Sequence, residues 1–380
     1  MKKILFITHH YLHGQGGGCY ASRAFINAFA QGNNLTLLYP MKQGADPKGL
    51  IGNIKQIPVW YNKNKIKKFI DLVRGQIHRY QDIQTYIHDI QYDIVVFDTS
   101  LVSYRLIDYF HKRKSKVICI HHNYQYEYFQ DNLNGILKYI NLYWCKKYEK
   151  EAVQKSDINL TLTNQDTQLL SQHYGNGSEL FYKIGIFEYQ NEIKKIDNNN
   201  NSHLPIFIIT GSLGDIQTEN SIKIWIKEYY PILKQQFANH KIIIAGKNPS
   251  TQLYKICQAH KNIEIIANPI TMDSILKLGT YFICPVEFGG GIKLRIMDGL
   301  KYGMQIITHN ISARGYEEFE KKGYLHSYST PIEFQECLNE LTQKDISQNE
   351  ISTYYRENCS LEIGIKKINH IIKKISLISI

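Results

Sequence analysis

Short β-branched runs alternate with longer helical patterns from one end of this 380-residue chain to the other. That alternation is the strongest constraint on the fold, because a strand followed by a helix and then another strand builds a parallel sheet with crossover helices. The first half offers the strands KILFIT, LTLLYP, DIVVFD, KVICIH and INLTLT, and the second half offers PIFIIT, KIIIAG, IEIIA, YFICP and QIIT. Between the two series lies NEIKKIDNNNNSHLP, whose asparagine run has nothing to bury and reads as a linker. The expectation is an α/β protein of two doubly wound domains, residues 1–190 and 205–355, joined by a linker over 191–204. A last helical stripe, Ile365, Ile368, Ile372 and Ile375, falls in a segment 356–380 that caps or bridges the domains.

Composition excludes more than it selects. The formal net charge of +11 admits an anionic small substrate, an anionic membrane or nucleic acid. The basic residues are dispersed and no helix-turn-helix, RNP or zinc-finger pattern accompanies them, so a nucleic-acid partner is not expected. Seven scattered cysteines, odd in number and without a CxxC pair, point to a reducing compartment and no structural zinc. The N-terminal MKKILFIT is basic and then apolar, yet the apolar run is short and no small-residue cleavage site follows. It reads as a first buried strand of a cytoplasmic protein. No stretch reaches the roughly 18 uninterrupted apolar residues of a spanning helix.

In open parallel sheets ligands collect at the carboxyl ends of the strands. Four such places stand out. After the first strand, GQGGGCYASR sets Gly16, Gly17 and Gly18 before a helix, where amides and the helix terminus favour an anion. It is not a clean dinucleotide fingerprint, and it carries no GK[ST]. After YFICP, GGGIKLRIMDGL offers the amides of Gly289, Gly290 and Gly291 and the charge of Lys293 to a diphosphate. If the helix runs from these glycines, Asp298 lies seven residues past Gly291, about 10 Å along the same face and within reach of a ribose. Its plain alternative is a tight turn with solvated side chains. Gly211 and Ser212 end one strand and Gly246 and Lys247 the next, so Lys247 sits at the same sheet edge as Lys293. Two cations there would neutralise a diphosphate leaving group without a metal. His121 closes KVICIH and His122 follows it directly, and neither has metal-ligand spacing with a partner.

In this order the motifs resemble those of GT-B-fold glycosyltransferases, in particular the retaining group-1, family-4-like enzymes that assemble bacterial polysaccharides. GQGGGCYASR is similar to that family's first glycine loop, HHNYQYE to its His-Asn segment, and IITGSLGDIQTENSIKIWIKEYYPIL with KIIIAGKNP to the start of its nucleotide-sugar domain. GGGIKLRIMDGLKYGMQIITHNISARGYE resembles the donor-binding core. The resemblance implies two Rossmann-like domains around a cleft and transfer of a sugar from a nucleotide-sugar donor to a glycan or lipid-linked acceptor. It makes His122 the candidate for contact with the transferred sugar and His121 the second. It places Gly16 and Gly17 near the phosphate, and it implies no metal and no cofactor. Many relatives carry two glutamates with seven residues between them; Asp298 aligns with the second, and Gly290 stands where the first would be. Two other readings remain open: a GT-B-fold sugar-nucleotide epimerase and a non-catalytic partner subunit.

NKNKIKKFIDLVRGQIHRY, residues 62–80, spaces Ile66, Phe69, Ile70, Val73, Ile77 and Tyr80 helically among lysines and arginines. Such a stretch either rests on an anionic bilayer or packs its apolar face into the domain. The second alternative is slightly preferred from the sequence.

Overall fold

The computed structural model describes the chain except for Gln15, residues 42–44, 61–64, 76–82, 88–89, 192–203, 344–345 and 379–380, and the side chains of Lys67 and Gln84. Most of the expected linker therefore lies outside the described residues. The chain divides into two compact units. The first comprises Met1–Asn191, Gly289–Ile292 and Cys359–Ile380, and the second Glu192–Phe288 and Lys293–Asn358.

The first unit is built on a seven-stranded sheet in the order β3-β2-β1-β4-β5-β6-β7. Its strands are β1 (Lys3–Thr8), β2 (Asn34–Met41), β3 (Ile54–Trp60), β4 (Ile94–Asp98), β5 (Lys116–His121), β6 (Ile158–Thr161) and β7 (Phe181–Lys183). Every pairing is parallel, and β1 meets β4 in a register that sets Thr8 beside Asp98. The central strands are covered on both faces, so they read as unbroken apolar runs. Ile4, Leu5, Phe6 and Ile7 are fully buried.

The second unit holds a six-stranded parallel sheet in the order β10-β9-β8-β11-β12-β13. Its strands are β8 (Ile206–Ser212), β9 (Lys241–Lys247), β10 (Ile263–Ala267), β11 (Tyr281–Cys284), β12 (Gln305–His309) and β13 (Leu325–Tyr328). The order reverses between β8 and β11, the switch point where such sheets open a crevice. Trp225, Tyr229, Leu233, Phe334 and Leu338 pack one face of the sheet.

All ten expected strands form. The three unexpected ones, β3, β7 and β13, each lie at a sheet edge. An edge strand is partly solvated, so its sequence need not be apolar: IKQIPVW exposes Lys55, Gln56 and Trp60, and Pro58 is tolerated there.

The C-terminal Leu361–Leu377 helix buries Leu361, Gly364, Ile368, Ile371, Ile372 and Ile375. It is part of the first unit, packed along the Gly17–Ala30 helix. Lys367 Nζ donates to Ile184 O at 3.1 Å and Glu188 N to Cys359 O at 2.8 Å, tying its start to the chain after β7. Among the described residues no helix is long and apolar enough to cross a membrane.

Candidate functional site

The carboxyl ends of β1, β4 and β5 gather a polar cluster that the sequence only partly announced. Asp98, the last residue of β4, is fully buried. Its Oδ2 accepts from Thr8 Oγ1 at 2.6 Å and from the hydroxyl of Ser22, and its Oδ1 lies 2.6 Å from His122 Nε2. Burial pushes the Asp98 carboxyl up, but the charge and hydrogen bond of His122, the charge of His10 and the Ser22 bond together hold it below its usual value. Asp98 is therefore ionised near neutral pH despite its burial.

His10 completes the group, its ring centred 5.4 Å from that of His122. Burial, opposed by Asp98 and aided by His122, lowers the His10 imidazole to about 4, so it is neutral near pH 7. Gly18 explains how the ring fits: a Cβ there would overlap the imidazole. Ser22 Oγ also lies 2.9 Å from Gly18 O, joining the glycine run to the carboxylate. Buried Arg23 shapes the rest of the loop, donating from Nη1 to Leu12 O at 3.0 Å and Gly14 O at 2.7 Å.

Ligand atoms of His10, Asp98 and His122 all lie within 4.8 Å of one another, a spacing that would admit a metal ion. Two hydroxyls donate to Asp98 Oδ2 and an imidazole N–H to Oδ1, three of the carboxylate's roughly four lone pairs, so most of its accepting capacity goes to orienting its neighbours. The arrangement is that of a carboxylate fixing a histidine tautomer.

His121 and His122, adjacent in sequence, point apart because they alternate at a strand end. His122 keeps 14% of its side chain exposed. His121 is 2% exposed, its Nε2 lies 2.9 Å from Asn159 Oδ1, and burial lowers it to about 4. His121 is thus enclosed at the sheet edge, where its ring is paired with Asn159, while His122 is the more accessible of the two. Gly16 caps the Gly17–Ala30 helix with open space where a Cβ would be, and Gly17 is exposed, so both amide positions face solvent.

At the switch point of the second unit, Gly211 and Ser212 end β8 and register against Gly246 and Lys247 of β9. The two glycines are required by crowding. A Cβ on Gly246 would overlap Gly211 O, and one on Gly211 would meet Arg295 Nη1 at 2.7 Å. Arg295 itself donates to Thr210 O at 3.1 Å and, through Nη2, to Thr218 Oγ1 at 3.1 Å, closing the floor of the crevice. Lys247 is exposed.

The segment after β11 departs from expectation. The helix begins at Arg295, not at the glycines. Gly289 and Gly291 adopt φ of +80° and +71°, left-handed conformations that cannot start a right-handed helix. Lys293 therefore lies in the loop before the helix, where its carbonyl accepts from Tyr316 OH at 3.1 Å. Asp298 is exposed in the first turn, so the spacing of two helical turns from Gly291 does not exist. The divide between the units also falls here, with Gly289–Ile292 counted in the first and Lys293 in the second.

Sequence reasoning missed Asp98, His10, Ser22 and Arg23. One signal was available: an aspartate closing the apolar run DIVVFD at a carboxyl strand end.

Two Rossmann-like units of this topology, in this order, define the GT-B architecture. Among solved structures, the chain is similar to sucrose-phosphate synthase from Thermosynechococcus elongatus, with 12% identity, a TM-score of 0.70 and 100% of each chain covered. It is also similar to a glycosyltransferase from Rickettsia africae (13% identity, TM-score 0.66, 99% of each chain). A third is HepE from Anabaena in complex with UDP and glucose (10% identity, TM-score 0.64, 98% of this chain and 100% of that one). Neither a protein-family model nor a curated protein matches the sequence. Identities this low speak for the fold.

Proposed function

We propose that the protein is a glycosyltransferase that moves a hexose-like sugar from a nucleotide-sugar donor to a glycan or lipid-linked glycan, with retention of configuration, in the assembly of a cell-surface polysaccharide. It works on the cytoplasmic side, at the inner membrane face. The observation that carries the proposal is the match to GT-B structures over the whole chain, one of them holding UDP and glucose.

The hard step is departure of a diphosphate from an oxocarbenium-like carbon. In this reading the crevice of the second sheet takes the nucleotide, with amides at Gly211 and Ser212 and the cations Lys247 and Lys293 meeting the charge that develops. Asp298 accepts from the ribose hydroxyls. Gly16 and Gly17 present amides from the first unit, and the chemistry asks for no metal. His122, its Nε2 held by Asp98, turns its remaining ring nitrogen to the transferred sugar. Asp98 acts through His122 as a positioning residue.

The test is thermal stabilisation by UDP-, GDP- and ADP-sugars, followed by transfer assays with the donor that binds. A ligand at 100 times its Kd stabilises the native state by about 2.7 kcal/mol. Lys293→Ala should then lower kcat/KM by about 10-fold or more. No stabilisation by any nucleotide sugar would sink the proposal, and donor turnover without an acceptor would favour an epimerase.

A further inference from the structure

Ile66, Phe69, Ile70 and Val73 stand at i, i+3, i+4 and i+7, hence on one face of the Lys65–Val73 helix. In a domain helix that face turns to the core. Here these side chains are 70%, 52%, 41% and 48% exposed, while Asp71 and Leu72 form the half-buried side. The expectation that the stripe packs inward is thus reversed. The helix is anchored instead just past its C-terminal end. Gly75 lies so close to the Trp144 ring that a Cβ would meet it at 2.6 Å, and Tyr148 OH donates to Gly75 O.

Trp144 and Tyr148 belong to the Gly135–Lys155 helix, whose opening turns repeat the pattern. Ile136, Tyr139 and Tyr143 share one face and are 75%, 71% and 56% exposed. Trp60, at the end of edge strand β3, is 59% exposed. Large apolar groups on a monomer surface are normally scattered, and a concentration on two touching helices marks a surface that something covers.

Charge identifies the occupant. Among the described residues, every exposed charged side chain on the two helices is a lysine: Lys65, Lys68, Lys146, Lys147, Lys150 and Lys155. Their acidic residues, Asp71, Glu149 and Glu151, are half-buried or buried. Lys147 Nζ sits 4.4 Å from the Tyr143 ring centre and 5.0 Å from that of Trp144, an ammonium beside amphipathic rings. Apolar side chains, interfacial Tyr and Trp, and lysines of one sign match a surface that is negative outside and hydrocarbon beneath. We propose that the Lys65–Val73 and Gly135–Lys155 helices form one face that docks on an anionic lipid bilayer.

Docking needs neither sugar donor nor acceptor, so it stands or falls separately from glycosyl transfer. The full-length protein is floated with vesicles of phosphatidylcholine alone or mixed with phosphatidylglycerol, at low and high salt. Binding is expected to the mixed vesicles and to weaken as salt rises. The double variant Ile66→Ser/Phe69→Ser should lower the partition coefficient by at least about 10-fold. Lys146→Glu/Lys147→Glu should reduce binding to anionic vesicles only. Because all four positions are exposed, unchanged thermal midpoints confirm intact folding; should the first pair unfold, Ile136→Ser/Tyr139→Ser replaces it. No binding at low salt, or equal binding by wild type and variants, overturns the proposal. So does self-association in solution abolished by the same substitutions, which would make a second copy the occupant.

Discussion

Replacing Asp98 separates the charge of the buried carboxylate from its shape. In Asp98→Ala the Thr8 hydroxyl and His122 Nε2 lose an acceptor, whereas Ser22 can turn its hydroxyl fully to Gly18 O, 2.9 Å away. Two orphaned donors at about 1–3 kcal/mol each, one on a charge-assisted bond, predict a loss of about 3–5 kcal/mol. Asp98→Asn keeps the volume: its oxygen still accepts from His122, and its amide can donate to the Thr8 hydroxyl. Only charge assistance goes, about 1–2 kcal/mol. Urea denaturation near neutral pH measures both. The acid side adds a second reading. Asp98 is held below its unfolded value of about 3.9, so its stabilisation is complete above that value and is lost as pH falls through the lower folded one. The gap between wild type and Asp98→Asn should therefore close as the solution is acidified through that range. An alanine variant within about 1 kcal/mol of wild type, or alanine and asparagine variants equally unstable, would refute the assignment of Asp98 as the shared acceptor.

Two further outcomes follow from burial and crowding. His10 and His121 are both held at about 4, so each stays neutral in the fold while the unfolded chain takes up a proton below about 6.5. Stability should fall as pH drops from about 6.5 to about 4, by up to roughly 3 kcal/mol for each histidine. His121→Gln, which keeps a donor for Asn159, should flatten that slope in urea titrations; an unchanged slope would exclude His121 as a source. Gly246→Ala should cost at least about 2 kcal/mol, because its Cβ would run into backbone at Gly211. Gly16→Ala, with open space at the same test, should stay within about 0.5 kcal/mol in the same measurement.

The sequence by itself determined the two parallel sheets, since strands buried on both faces must be apolar throughout and KILFIT or KIIIAG has no other stable use. It also located the carboxyl strand ends, and with them His122, Lys247 and the glycine turns. Edge strand β3 escaped because solvent relaxes the demand on its composition, whereas edge strand β10, IEIIA, is apolar enough to be read. Tertiary structure alone decided the rest, since distance in space is not written in spacing along a chain. Asp98 and His122 are 24 positions apart, yet β4 and β5 lie side by side and bring them to 2.6 Å. His121 and His122 are neighbours in the chain, yet strand alternation sends one inward and leaves the other in reach of solvent. Periodicity located an apolar stripe on the Lys65–Val73 helix, but a stripe fits a core and a bilayer equally well. Its exposed direction goes with packing past the helix end, where Gly75 lies against Trp144, and no single segment encodes that contact.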